Sequence, residues 1–138
     1  MILISSICLA GCGPDWSGKF EGKLSQTGTC SDGSSVPAST TAVSLTLKDD
    51  GDTVTWEAPC GATAIANVDG DVANVRQYSC PAQTQTDGTT IATTVTDGKL
   101  TLNDNILEVE FDLSLSLSGT ITGTCDVVAE GSLNRLAE

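Results

Sequence analysis

Carboxylates are the commonest ionisable groups in this chain. Eighteen Asp and Glu stand against six Lys and Arg, for a net charge of -12, and there is no His. That absence removes the commonest general base, the commonest zinc ligand and the usual partner of a nucleophilic Ser or Cys. Acid-pair chemistry and oxygen-ligand metal binding remain. Glu108, Glu110 and Asp112 alternate along one segment, and on a strand they would stand about 6.6 Å apart, a spacing that superficially suits paired acids. Alternation puts them on the wet side, however, without the cleft of unequal environments that catalytic carboxylates need. No catalytic residue and no enzyme activity are expected. Asp49, Asp50, Asp52, Asp69, Asp71 and Asp97 accompany glycines at expected turns. Gathered at one end of a meander they could ligate calcium, but Asp beside Gly is ordinary turn chemistry and no spaced calcium-loop motif occurs. Neither a metal nor another cofactor is expected.

Residues Met1 to Leu9 form a compact apolar run that leads into Ala10, Gly11 and Cys12, the layout of an export signal ending in small residues. The Leu9-Ala10-Gly11-Cys12 string resembles the lipobox of bacterial lipoprotein precursors. The resemblance implies cleavage before Cys12, a diacylglycerol anchor on Cys12 and residence in the bacterial cell envelope, at the outer membrane or cell surface. It divides the chain into a signal peptide over 1–11, a lipidated tether over 12–14 and one β domain over 15–138. No apolar run reaches the roughly 18 to 20 residues that a spanning helix requires, so any membrane attachment is expected at an end. The acidic balance argues against nucleic acid and against adsorption to anionic head groups. A monomer is expected.

If Cys8 leaves with the signal and Cys12 carries lipid, then Cys30, Cys60, Cys80 and Cys125 remain. An even number in an exported chain reads as two disulfides with three pairings open. The body is rich in Thr, Ser, Val, Ala and Gly with recurring Asp-Gly pairs, the mark of an antiparallel meander. The clearest strand is Ile106 to Ser118, where Leu107, Val109, Phe111, Leu113, Leu115 and Leu117 alternate with polar residues.

Register can be tested, because a short turn decides which residues face each other. A turn at Asp50-Gly51 sets Leu47 against Val54 and Leu45 against Trp56. One at Asp97-Gly98 sets Val95 against Leu100, and one at Asp104-Asn105 sets Leu102 against Leu107 and Lys99 against Glu110. A three-residue loop at Ser118-Gly119-Thr120 aligns Leu113 with Cys125. Asp69-Gly70 is a further turn, flanked by a segment where Ala64, Ala66 and Val68 compete with Ile65 for the inward side. The first strand puts Trp16, Phe20, Leu24 and Cys30 on the dry face. Cys30 and Cys125 therefore point the same way, which favours bridges Cys30–Cys125 and Cys60–Cys80, although a bulge would shift the parity.

The expected fold is all-β: an antiparallel up-and-down meander of about eight to ten strands forming a small, disulfide-stapled barrel, with a β-sandwich as the alternative. A count of nine would make the first and last strands parallel neighbours in a closed meander. The Asp15-Trp16-Ser17-Gly18 opening resembles that of the calycin group, which implies a lipocalin-like barrel. Trp16, Phe20, Trp56 and Phe111 fall on inward positions and are candidates to line a pocket, with room left by Gly18, Gly22 and Gly123, or else to fill a plain core. The expected function is non-enzymatic binding or interaction, of a small apolar ligand or of an envelope protein. The alternative is a surface-acting inhibitor or adhesin that uses the polar loops Ser31 to Ser39 and Pro81 to Gly88.

Overall fold

A segment with an apolar residue at every second position has one face to bury, and it does so by pairing with other strands over a shared interior. The computed structural model describes residues 14–137. Ten strands follow in order: β1 (Gly18–Cys30), β2 (Ser35–Asp49), β3 (Thr53–Glu57), β4 (Thr63–Asp69), β5 (Val72–Val75), β6 (Tyr78–Ser79), β7 (Gln83–Thr84), β8 (Thr90–Asn103), β9 (Ile106–Ser118) and β10 (Gly123–Arg135). Every pairing among them is antiparallel.

Eight strands hydrogen-bond in a closed ring: β1, β2, β3, β4, β5, β8, β9 and β10, which returns to β1. The short β6 and β7 pair with β8 beside it. An even number in the ring lets β1 and β10 meet antiparallel, so the difficulty of a nine-strand closure does not arise.

One end of the ring, the foot, holds the start of β1 and the end of β10. The opposite end is the head. Closure is complete only toward the foot, because β2 pairs with β3 through Lys48 and Asp49 alone, and β5 pairs with β8 only through Val72 to Asn74. Toward the head, β2, β1, β10, β9 and β8 continue as five long strands. The head-side edge of β2 has β1 as its single strand partner among the described residues.

The expected side-chain alternation holds, while several turns differ in detail. Asp104-Asn105 is as expected, with Leu102 opposite Leu107, Leu100 opposite Val109 and Lys99 opposite Glu110. Asp50-Gly51 is not a two-residue turn. Asp49 pairs with Val54 and the Asp50 N–H donates to the Thr53 carbonyl, because the Asp49 carboxylate accepts the Gly51 N–H at 2.8 Å and draws the turn on. The loop after β9 is likewise longer, setting Leu115 rather than Leu113 against Cys125. It reaches over to the segment before β8, where the Thr120 hydroxyl donates to the Asp87 carbonyl at 2.7 Å. Both registers are displaced by two residues, so each side chain keeps its expected face.

Asp97-Gly98 is no turn at all: it lies inside β8, at a bulge between Val95 and Asp97. A Cβ on Gly98 would stand 2.8 Å from the Phe111 ring and 2.9 Å from Val75, so this glycine makes room for an aromatic neighbour instead of reversing the chain. The two-residue turn between β4 and β5 is Gly70-Asp71, with Asp69 opposite Val72. Ala64 and Ala66 take the inward side there, and Ile65 is half-buried.

Both expected disulfides are present, Cys30–Cys125 and Cys60–Cys80. The first joins residues directly opposite each other on β1 and β10. Cys12 and the signal segment lie outside the described residues.

Candidate functional site

The four aromatic residues singled out above divide between two environments. Trp16 and Phe20 are fully buried with Val54, Leu100, Leu107 and Leu133, and together they fill the foot of the ring. Arg135 seals it: its guanidinium lies 4.7 Å above the Phe20 ring centre and donates to the Ser17 carbonyl and, at 2.6 Å, to the Asp15 carbonyl. Trp56 and Phe111 instead line a cavity of about 290 Å³ toward the head.

Alternation builds this cavity. Leu24 on β1, Val43 and Leu45 on β2, Val95 on β8, Leu113 on β9 and Ala129 on β10 all turn inward at its walls. The wall between β2 and β8, where no long strand runs, is supplied by Ala58, Pro59 and Tyr78, and the Cys60–Cys80 disulfide clamps these two segments together. Burial pushes the Tyr78 phenol above its ordinary pKa, which keeps it neutral. Gln26 and Thr41 add two uncharged polar groups. Among the described residues no Asp, Glu, Lys or Arg lines the cavity.

The chain matches no family model, no curated protein and no solved structure.

Of the glycines expected to leave space, Gly22 does the opposite, as does Gly131 beside it. A Cβ on Gly22 would come within 2.8 Å of the Leu133 side chain and 2.4 Å of the Ser132 carbonyl, and one on Gly131 within 2.1 Å of the Lys23 carbonyl. They let β1 and β10 coil tightly against each other, and the volume they give up is filled. Gly18 and Gly123 lie against Arg135 and Ser31.

Among the described residues no group of three or more Asp, Glu or Cys is arranged to hold an ion. Asp49, Asp50, Asp52, Asp69 and Asp71 do gather at the foot, in the turns after β2 and β4, while Asp97 lies within β8. Of these, the Asp49 carboxylate accepts the Gly51 N–H of its turn and the Trp16 N–H. Glu108, Glu110 and Asp112 are exposed on the outer face of β9, where Glu110 stands between Lys99 and Glu130 on the neighbouring strands. A shallow groove crosses that face, but it is polar and open to water.

Of the two candidate loops, Ser31 to Ser39 is mostly strand: the turn is confined to residues 31–34 and β2 begins at Ser35. The Asp32 carboxylate accepts from the Ser34 hydroxyl at 2.6 Å and from the Ser34 N–H at 2.9 Å, which closes the turn early. Pro81 to Gly88 is exposed and includes β7. Sequence reasoning missed Tyr78 and Arg135. The partners of Arg135 lie at Asp15, Ser17 and Phe20, more than a hundred residues away, and no local pattern announces them.

Proposed function

We propose that the protein is a non-enzymatic lipoprotein of the bacterial cell envelope that holds a small apolar ligand in the head cavity. The observation that carries this reading is the cavity itself: apolar walls, no charged lining residue, and an opening in a molecule whose foot is otherwise filled. Its volume of about 290 Å³ is roughly twice the ~150 Å³ that accepts one benzene, and it falls at the small end of ligand sites. With the anchor on Cys12, the acidic foot faces the membrane and the cavity faces away. The run from Leu9 to Cys12 supports the anchor, and the start of β1 at the foot supports the orientation.

Native mass spectrometry of the intact exported chain tests both parts at once. The expected spectrum shows an acyl mass on Cys12 and a bound small apolar molecule, the latter absent from Leu113→Trp, whose indole would fill the cavity. An unacylated chain contradicts the anchor, and adducts equally abundant in Leu113→Trp contradict the site.

A surface-acting inhibitor or adhesin is the second reading, and one contact favours it. Thr120 binds the Asp87 carbonyl and so joins the loop after β9 to Pro81–Gly88 in one rim, on which Ile121 is 53% exposed. Replacing 81–88 by a short Gly-Ser turn would then abolish capture by an envelope partner while leaving ligand adducts in place.

A further inference from the structure

The head cavity can be read for the kind of head group its ligand carries, an inference that rests on the carrier reading above. Three observations bear on it. Among the described residues the lining has no cation to pair with a carboxylate or phosphate and no anion to pair with an amine. Its polar groups, Gln26, Thr41 and Tyr78, are all of kinds that hydrogen-bond a neutral head, as donor or acceptor. The whole chain carries a net charge of -12, so the field outside adds a second obstacle to anions.

We infer that the cavity selects uncharged amphiphiles, an apolar body with a neutral hydroxyl, carbonyl or amide head, and rejects the carboxylates that apolar carriers with a buried Lys or Arg accept. An ion entering this lining loses its hydration and gains no opposite charge, whereas a hydroxyl exchanges water for an amide or hydroxyl partner. The cost to an ammonium is of the same kind. The acidic field outside raises the local concentration of that ammonium but puts no carboxylate within the walls.

The test is calorimetric titration of the full chain carrying Cys12→Ser, which can bear no acyl group to compete, with 1-octanol, octanoate and octylammonium at neutral pH. Saturable binding of octanol is expected, with both ions at least tenfold weaker. In Thr41→Lys, a cation placed at an exposed position at the cavity wall should raise octanoate affinity at least fivefold relative to octanol. Octanoate or octylammonium binding as tightly as octanol overturns the head-group inference while leaving the carrier reading intact. No binding of any of the three overturns the carrier reading, and this inference with it. If octanoate affinity is unmoved in Thr41→Lys although octanol still binds, missing charge is not what excludes anions, and the inference fails on that count.

Discussion

Arg135 is the residue on which the foot depends. Its guanidinium ties the segment before β1 to the end of β10 through the Asp15 and Ser17 carbonyls and covers Phe20. Charge-assisted bonds to carbonyls together with a partly desolvated cation–π contact should be worth about 2 kcal/mol. Arg135→Ala should lose about that much in denaturant unfolding with an unchanged m-value, and a loss below about 0.5 kcal/mol would show the clamp to be ornamental. Three turn carboxylates should contribute to the response to acid. The Ser17 hydroxyl and N–H hold Asp15 below the usual carboxylate range, the Ser34 hydroxyl and N–H do the same for Asp32, and the Thr89 N–H does so for Asp87. A carboxyl depressed in the fold stabilises it above the unfolded pKa of about 3.9, and that contribution is lost as pH falls through the lower folded value. Melting temperature should therefore hold from pH 7 to about pH 5 and decline below pH 4, less steeply in a Ser17→Ala, Ser34→Ala double variant. A decline of the same slope in that variant would place the acid sensitivity elsewhere.

Among the elements, the segments that face β8 across the head depend most on a covalent link. The ring closes through three residues of β5 and two of β2, and toward the head the Cys60–Cys80 bridge ties the segment after Ala58–Pro59 to the one that carries Tyr78. The chain-entropy model gives about 3 kcal/mol for a loop of this length and about 4 to 5 for the Cys30–Cys125 loop. Cys60→Ala with Cys80→Ala should thus leave a folded ring of lower stability and weaken octanol binding at least fivefold, as read by calorimetry. A variant that binds as the parent does would show that the strap plays no part in shaping the site. The pairing was legible because Cys30 and Cys125 share a parity along their strands, and that parity survived a register displacement of two residues at the β9–β10 hairpin. Asp97-Gly98 misled for the converse reason. Its composition is that of a turn, but the glycine answers to Phe111 and Val75, neighbours that only the folded sheet brings there.

At the scale of the whole molecule, the sequence carries the inward and outward faces but not the shape they enclose. Trp16, Phe20, Trp56 and Phe111 were all correctly read as inward, yet periodicity is blind to which half of the ring each occupies. That division depends on β3, β4 and β5 being short while β1, β2, β8, β9 and β10 are long. The same length mismatch leaves the foot solid and the head hollow. Acidic turns at the foot and a neutral cavity at the head then give the molecule two unlike ends. Methyl NMR with added 1-octanol tests this division most directly. Leu24, Val43 and Leu113 should shift and saturate together, while Leu107 and Leu133 at the foot stay in place. Shifts spread evenly over both groups, or confined to the foot, would contradict a ligand site at the head.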